Sequence, residues 1–244
     1  MPRLPRFFIS PDLISDTNIR IADEDVRHVV NVLRKKVGDE LLLCDGEGTE
    51  YRTRIVMLNK TEVKTEIVTQ TGSALRHPRV TLGQGLPKFD KMDFIVQKAT
   101  ELGVAAVVPL ITERAIVKIK DEEKRLARWR KIAREAAMQS NRPDIPLIES
   151  VVSFRDFIVA QAPGSRTLSL LPWEEGTELI KNVLRQNPSV RDIMVLIGPE
   201  GGFSLGEAEA AKTHGFHAVS LGPNILRTET AAMAVLSMIW YEFF

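Results

Sequence analysis

Apolar and polar residues follow two different patterns along the chain, and the pattern changes near residue 72. Before that point, short β-rich runs alternate between apolar and polar positions, which is typical of half-buried strands. From residue 79 onward, short apolar runs alternate with segments that carry apolar residues every three or four positions. The chain is therefore predicted to be an α/β protein, with a small β domain over residues 1–72 and a larger domain with a parallel sheet over residues 73–244.

The N-terminal region is predicted to contain a β-hairpin. The string LLLCDGEGTEYRTRIVML places two β-rich runs on either side of Asp45-Gly46-Glu47-Gly48, which is a turn sequence. EVKTEIVTQ adds a third alternating run, residues 23–32 form a predicted short helix, and residues 72–74 a linker. Phe7 and Phe8 have two interpretations, because aromatic rings either stack on nucleic-acid bases or pack in a core.

In the larger region, strands and helices are predicted to alternate. Gly103 gives one helix a clear end, since glycine readily adopts the left-handed conformation found just after helices. The predicted strands cover residues 80–86, 104–110 and 167–171, and the predicted helices cover 88–102, 122–140, 154–161 and 175–185. This alternation predicts a parallel sheet with helices packed on its faces.

Two strand–loop–helix units follow one another near the C-terminus. Residues 193–197 form an apolar run that predicts a buried strand, and Gly198-Pro199-Glu200-Gly201-Gly202 ends it. Ser204 stands three positions before Glu207, which is the spacing of a capping box and predicts the start of a helix. The second unit repeats the arrangement with a strand at 218–221, a turn at 222–224 and a helix from Thr228.

These two units predict a ligand crevice, because loops that follow parallel strands meet at one edge of the sheet. Glycines in such loops allow backbone N–H groups to approach a ligand closely. Gly-Pro turns also end strands in proteins that bind nothing there, so that interpretation stays open. Neither loop matches GxGxxG, GxxxxGKS or GxxxxGKT, the patterns of dinucleotide and phosphate sites. The pattern alone predicts a pocket without naming its ligand.

The composition is that of an ordinary globular protein, with 44% hydrophobic and 27% charged residues among 244. The single cysteine, Cys44, excludes an internal disulfide framework and a cysteine-based zinc site, and the four histidines lack the spacing of metal ligands. We therefore expect no metal and a cytoplasmic location. No apolar run is long enough to span a bilayer, and Arg3, Pro5 and Arg6 interrupt any N-terminal secretory signal, so we expect no membrane partner.

Charge is unevenly distributed, although the net charge is only +1. Residues 1–76 are neutral overall, residues 77–143 carry +6, and residues 144–244 carry −5. The positive middle is a candidate for holding a phosphate backbone. The alternative is that its cations, among them Lys124, Arg125, Arg128, Lys131 and Arg134, only solvate one face of a helix.

The exact strings in the two C-terminal loops carry more information than their pattern. IGPEGGFS followed by LGPNILRTETA resembles the SPOUT class of methyltransferases and, more narrowly, the RsmE family, which methylates N3 of a uridine in small-subunit (16S) ribosomal RNA. Further strings that fit this family are RFFIS, HVVNVLRKKVGD, KFDKMDFIVQKATELGV, TERAIVK and REAAMQSNRPDIP, so the resemblance covers nearly the whole chain. The resemblance implies a trefoil knot over about residues 195–232 that holds S-adenosylmethionine, and an N-terminal PUA-like β barrel that binds RNA.

The resemblance also implies which residues bind the cofactor, largely through backbone amides and carbonyls. The implied set is Leu171, Pro172, Ile197, Gly198, Gly202, Leu221, Gly222, Ile225, Leu226, Thr228 and Ala231. We expect valine at position 198 or 202 to abolish cofactor binding in a folded protein, because the side chain would fill the space that the ligand needs.

Methyl transfer to uracil N3 requires help at the acceptor, since N3 carries a proton at neutral pH. A group must accept that proton, or a cation must stabilise the charge left on O2 or O4. Glu200, Arg227 and Glu229 lie in the two loops and are the candidate catalytic residues. Arg227 cannot act as a base at ordinary pH, so its expected role is that of an electrostatic stabiliser or substrate clamp. In the alternative, Arg227 forms a salt bridge with one of the two glutamates that only shapes the loops, and Glu200 anchors a helix N-terminus.

The expected partners are ribosomal RNA or the assembled small subunit, together with a second copy of the chain in a homodimer. The candidate RNA-binding residues are Arg6, Arg34, Lys35, Lys36, Arg114, Lys118, Arg134, Gln139, Asn141 and Arg142. Two other functions stay open: methylation of a ribose 2′-hydroxyl by the same class of enzyme, and a non-catalytic role in RNA binding and ribosome assembly. A metabolic enzyme with a nucleotide ligand is disfavoured by the missing phosphate-loop motifs.

Overall fold

The computed structural model describes residues 4–72, 77–88, 91–115, 121–160 and 167–243. They separate into two compact units, which are described one at a time. The first unit combines residues 1–74 with residues 137–145, and the second combines residues 75–136 with residues 146–244.

A mixed sheet of five strands forms the first unit, in the spatial order β1-β3-β4-β5-β2. The strands are β1 (Arg6–Phe8), β2 (Asn18–Ile21), β3 (Glu40–Cys44), β4 (Thr49–Leu58) and β5 (Val63–Gly72). β1 runs parallel to β3, and the other pairs are antiparallel. The predicted hairpin is confirmed, with Cys44 opposite Glu50 across its turn. The predicted helix over 23–32 is also confirmed, as α1 (Asp23–Arg27) continued by a π-helical turn (His28–Val32).

Phe7 and Phe8 are core residues of the first unit, each with 2% of its surface exposed. They point to opposite faces because successive side chains of a strand alternate. Phe7 joins the main core with Ile19 and Leu41, whereas Phe8 packs with Cys44 and Ala137. The packing interpretation of these rings is therefore confirmed.

The second unit is built on a parallel sheet in the order β11-β13-β10-β12-β6-β7-β8, with β9 also beside β7. Its strands are β6 (Arg79–Gly85), β7 (Ala106–Ile111), β8 (Leu147–Ile148), β9 (Val152–Ser153), β10 (Thr167–Pro172), β11 (Glu178–Leu179), β12 (Asp192–Ile197) and β13 (His217–Ser220). Its helices are α2 (Lys91–Glu101), α3 (Glu122–Gln139, whose last three residues belong to the first unit), α4 (Phe154–Ala160), α5 (Ile180–Gln186), α6 (Leu205–Thr213) and α7 (Thr228–Phe243).

The predicted helix over 175–185 is wrong in its first half. Glu178 and Leu179 form the short strand β11 beside β13, and α5 begins only at Ile180. The chain reaches β13 just before this point, since a Cβ added to Gly176 would lie 2.7 Å from the backbone of Val219. Because the backbone lies so close to β13 here, its N–H and C=O groups form hydrogen bonds with that strand instead of starting a helix.

β12 occupies an interior position of this sheet, between β10 and β6. Residues 193–197 are all buried, as their continuous apolar run predicts for a strand covered on both faces. Within the described ranges, no helix is both long and apolar enough to cross a membrane. The same residues contain no group of three or more His, Cys, Asp or Glu side chains arranged to hold a metal ion.

Candidate active site

A cavity of about 460 Å³ lies at the carboxyl ends of three neighbouring strands of the second unit. Pro172, Ile197 and Ser220, the last residues of β10, β12 and β13, all line it. A cavity of this size suits a small organic ligand, and its position at the carboxyl edge of a parallel sheet is the usual one for ligand sites. The predicted crevice between the two glycine-rich units is therefore present.

The first loop, residues 198–204, forms one wall of the cavity and is folded tightly on itself. A Cβ added to Gly198 would lie 3.0 Å from Cα of Gly202 and 3.1 Å from N of Phe203. Gly202 has a φ of +66° and nothing within 4 Å of an added Cβ. A valine at 198 would therefore first meet the loop's own backbone, which adds a packing cause to the predicted loss of cofactor binding.

Side chains from elsewhere in the second unit hold the first loop in place. Ser204 and Glu207 form the predicted capping box at the start of α6, and the hydroxyl of Ser204 also donates to Glu113 at 2.6 Å. The guanidinium of Arg114 donates to the carbonyl of Gly201 at 2.9 Å. The TER segment that follows β7 thus fastens the loop at two points.

The second loop, residues 221–227, forms the opposite wall and has far fewer restraints. The hydroxyl of Ser220 accepts a hydrogen bond from the backbone N–H of Gly222 at 3.3 Å. Ile225 lines the cavity yet has 83% of its surface exposed. In the described part of the chain, no side chain of residues 221–227 makes a hydrogen bond or an ion pair. This wall therefore leaves its polar and apolar groups available to a ligand.

A buried hydrogen-bond relay joins the two walls at the base of the cavity. The side-chain amide of Gln84, at the end of β6, donates to the hydroxyl of Thr228 at 2.9 Å. That hydroxyl in turn donates to the carbonyl of Gly198 at 2.6 Å. Because the relay occupies the Gly198 carbonyl, it fixes the orientation of the first peptide of the first loop.

A cluster of three charges lies at the rim of the cavity. The ammonium of Lys91 lies 3.0 Å from Glu200 and 3.3 Å from Glu229, and the carboxylate of Glu200 also accepts from the backbone N–H of Lys88. Burial tends to raise the pKa of Glu200, but hydrogen bonds from backbone N–H groups and from Lys91 outweigh it and hold that pKa below its ordinary value. The hydrogen bond to Glu200 raises the pKa of Lys91. Both shifts favour the charged forms of Glu200 and Lys91 at neutral pH.

Arg227 lines the same cavity as a second cation but stands apart from this cluster. It is exposed, and it forms no ion pair with any described residue. The alternative in which Arg227 bridges to Glu200 or Glu229 is thus not the arrangement seen, since Lys91 takes that place.

Two family models match most of the chain. The model of an RNA methyltransferase domain matches residues 75–240, and that of an RNA methyltransferase PUA domain matches residues 21–68. Ribosomal RNA small subunit methyltransferase E of Bacillus subtilis is 34% identical to this chain over 230 residues, which cover 91% of the chain and 89% of the relative. The chain belongs to this family.

Solved structures of similar proteins contain the cofactor that the resemblance implies. Ribosomal RNA small subunit methyltransferase E from Neisseria gonorrhoeae, bound to S-adenosyl methionine, superposes with a TM-score of 0.85 at 33% identity, covering 98% of each chain. A methyltransferase from Legionella pneumophila in complex with the same cofactor gives a TM-score of 0.81 at 31% identity, again covering 98% of each chain. The α/β class with a PUA domain and a SPOUT-type catalytic domain is thereby confirmed.

The cavity brings together ten of the eleven residues that the family resemblance implied for the cofactor. Those ten are Pro172, Ile197, Gly198, Gly202, Leu221, Gly222, Ile225, Leu226, Thr228 and Ala231. The eleventh, Leu171, is fully buried in the core with Leu196 and Phe203 and does not line the cavity. The candidate catalytic residues Glu200 and Arg227 line it too, and Glu229 reaches its rim through Lys91.

Sequence reasoning missed several residues that line this cavity. Lys91, Trp173, Glu174 and Asn224 all line the cavity. Trp173 and Asn224 stand beside predicted positions in the same loops, so proximity in sequence was an available signal. Lys91 had no such signal, because it approaches from the start of α2, more than a hundred positions before Glu200.

The candidate RNA-binding cations of the first unit fall into two groups. Arg6 pairs with Glu50 and donates to the Cys44 sulfur at 3.2 Å, and Arg142 pairs with Asp144. Side chains of Arg6 and Arg142 are only 10% and 11% exposed, so these charges are compensated internally. Arg34 and Lys36 are exposed and Lys35 is half-buried.

Of the remaining candidates, Arg134, Gln139 and Asn141 lie along or after α3, whereas Arg114 and Lys118 precede it. Asn141 adopts a φ of +62° and ends the helix, with its N–H and that of Arg142 donating to the carbonyls of Met138 and Ala137. Gln139 is exposed and Arg134 half-buried. Arg114 contacts the first loop, as described above, and Lys118 lies outside the described residues.

Proposed function

We propose that this protein transfers a methyl group from S-adenosylmethionine to N3 of a uridine in 16S ribosomal RNA of the small subunit. The observation that carries the proposal is the cavity between two glycine-rich loops, lined by Arg227 as a cation without an ion-pair partner in the described chain, in a member of this family. Relatives of the same fold hold S-adenosylmethionine.

The lining fits this cofactor in size and chemistry. A cavity of about 460 Å³ that is lined by both polar and apolar residues, with backbone groups from glycine loops, suits a ligand bound through main-chain amides and carbonyls. When bound, the cofactor supplies an electrophilic methyl group on a sulfonium. The protein's contribution is alignment of that carbon with the acceptor nitrogen, which supplies roughly 7–11 kcal/mol in well-oriented reactions. Fastening of the first loop by Arg114 and Ser204 provides the necessary rigidity.

Arg227 takes the electrostatic role at the acceptor. As N3 loses its proton, negative charge develops on the flanking oxygens O2 and O4, and a guanidinium placed beside them lowers the energy of that state. Arg227 is suited to this because it is exposed, lines the cavity and makes no ion pair with another described residue.

Glu229 is the better candidate for the proton acceptor. Glu200 already accepts hydrogen bonds from Lys88 and an ion pair from Lys91, and its lowered pKa makes it a weak base. Within the described residues, the Glu229 side chain has a single polar partner, Lys91, which lies 3.3 Å from one of its two oxygens. We therefore assign Glu229 to proton transfer and Glu200 to shaping the first loop.

The proposal also includes how the RNA is held and in what form the protein acts. N3 lies on the Watson–Crick edge, so the target base must be unpaired or flipped before attack, and the PUA domain would grip the RNA around it. Arg34, Lys35 and Lys36 are the proposed phosphate contacts, because none of them is buried and none forms an ion pair with another described residue. A trefoil knot around the two loops, a homodimer and a cytoplasmic site of action complete the proposal.

Two measurements test this function. Isothermal titration with S-adenosylmethionine should give about one ligand per chain, and incubation with small subunits lacking the modification should transfer a labelled methyl group to 16S RNA. Reverse transcription then locates it, since a methyl on the Watson–Crick edge stops the enzyme. A methylated site that allows read-through but resists alkaline cleavage would instead establish the ribose 2′-hydroxyl as acceptor. Cofactor binding without any transfer to RNA or subunit would refute both activities.

A further inference from the structure

Lys91 is the shared partner of two carboxylates that come from different parts of the site. It is the first residue of α2, whereas Glu200 belongs to the first loop and Glu229 to the first turn of α7. Both carboxylates lie within 3.3 Å of the same nitrogen. The side chains of Lys91, Glu200 and Glu229 are 31%, 29% and 20% exposed, so solvent screens this cluster less than it would a fully exposed pair.

From this arrangement we infer that Lys91 is a positioning residue. It joins the first wall of the cavity, through Glu200, to the first turn of α7 directly after the second wall, through Glu229, and thereby keeps Arg227 unpaired for the substrate. The inference rests on the proposed function only where it concerns Arg227. Joining of the walls is a property of the protein itself and is testable without RNA.

The neighbouring charges do not offer a replacement for Lys91. Arg114 is bound to the Gly201 carbonyl, and Arg128 pairs with Asp93 on α2. Lys88 reaches Glu200 only through its backbone N–H, and Glu174, which also lines the cavity, adds negative charge. Arg227 is the one other cation among the described lining residues.

Loss of the Lys91 ammonium therefore has two consequences. Two carboxylates left close together without a cation repel each other, and one of them then takes up a proton at a higher pH than an isolated glutamate does. The other consequence concerns Arg227, since uncompensated carboxylates attract it away from the acceptor. The first effect appears in stability and the second in turnover.

The pH dependence of unfolding distinguishes neutralisation of the two carboxylates by Lys91 from stabilisation by packing of its side chain alone. A carboxyl group whose pKa is raised by folding contributes stability at low pH, and this contribution is lost as the pH rises through the raised value. The Lys91→Met variant should thus have a smaller deficit in melting temperature at pH 5 than at pH 8, relative to the wild type. Lys91→Arg retains a cation and should show no such trend.

A double variant tests whether repulsion between the two carboxylates causes the pH-dependent deficit. In Lys91→Met/Glu200→Gln one of the two repelling charges is gone, so the pH-dependent deficit should disappear. A deficit in Lys91→Met that is equal at pH 5 and pH 8, or one that persists unchanged in the double variant, would overturn the inference. In methyl transfer, Lys91→Met should lower kcat about tenfold or more while the KM for RNA changes little.

These measurements can distinguish a failure of this inference from a failure of the proposed function. A wild-type protein that transfers no methyl group would defeat the proposed activity and leave the unfolding comparison valid. An unchanged kcat in Lys91→Met, alongside the expected pH-dependent melting, would overturn the part of the inference that concerns Arg227.

Discussion

The two loops that line the cavity follow strands on either side of β10, yet they are held very differently. Contacts of Ser204 and Gly201 fasten the first loop to the segment after β7, and Glu200 pairs with Lys91 at the start of α2. Within the described residues, the second loop has local hydrogen bonds between Ser220 and Gly222 at 3.2 and 3.3 Å and several exposed side chains. One wall of the site is thus fixed by the protein, and the other is available to its ligands.

Because of this difference, we expect the two walls to contribute to ligand binding in different ways. Groups that are already held in place lose little freedom when a ligand arrives, so the first loop is suited to presenting backbone groups to the cofactor. The second loop carries Ile225 and Arg227, whose side chains are exposed in this structure. Contacts with cofactor and RNA would order them, and their contribution should appear mainly in turnover.

The largest expected effect comes from Arg227. Replacing it with alanine should lower kcat by about a hundredfold or more, because the charge that develops at the acceptor loses its stabilising partner. Affinity for S-adenosylmethionine and the melting temperature should stay close to those of the wild type, since Arg227 makes no ion pair with any described residue. Single-turnover methylation of small subunits, with titration and melting of the same preparations, measures all three quantities.

Arg227→Lys is the matched control for that experiment. It keeps the charge but loses the planar guanidinium, so it should recover part of the lost rate. A melting temperature several degrees lower in Arg227→Ala would contradict the contrast between the loops, because it would show that the second loop also depends on side-chain anchors.

A smaller effect distinguishes two glycines of the first loop. In Gly198→Ala the new methyl group would meet backbone atoms at 3.0 Å, and overpacking of this kind costs about 1–3 kcal/mol. We expect a tenfold or greater loss of cofactor affinity. In Gly202→Ala the methyl group has free space, and the strain of its φ of +66° costs about 1 kcal/mol. Titration calorimetry ranks the two, and a weaker effect at 198 than at 202 would contradict the tight packing of this loop.

Most of the second unit was predictable because its signals are local. A continuous apolar run is enough to predict β12, the spacing of Ser204 and Glu207 predicts a capping box, and both are present. β11 escaped prediction, since a strand of two residues has no periodicity of its own and forms only because β13 lies beside it.

The site was predictable where it consists of consecutive residues and not where it depends on distant ones. Glycines and apolar residues of the two loops stand in recognisable strings. The contact of Arg114 with Gly201 spans 87 positions, and that of Glu113 with Ser204 spans 91. No spacing rule connects residues so far apart, so the fastening of the first loop became visible only in the structure.

In the first unit, the roles of charged residues were also not predictable from the sequence. Arg6 carries the same charge as Arg34, and nothing in the sequence distinguishes a cation that pairs internally from one that faces solvent. The structure distinguishes them through burial, which also raises the pKa of the neighbouring Cys44 thiol to about 11 against the lowering effect of Arg6.

The smallest expected effect tests the fastening of the first loop directly. Arg114→Ala removes the hydrogen bond to the Gly201 carbonyl, and a single exposed hydrogen bond of this kind contributes modestly. We expect the affinity for S-adenosylmethionine to fall by about two- to fivefold, since the loop must then be ordered by the ligand. Lys131→Ala removes an exposed cation of the same unit, whose one ion pair with a described residue is with Glu135 at 3.9 Å, and it should leave the affinity unchanged. Equal losses in both variants would attribute the effect to overall charge. A loss confined to Arg114→Ala would show that the fixed wall depends on this contact, and that the contrast between the loops originates in residues outside both of them.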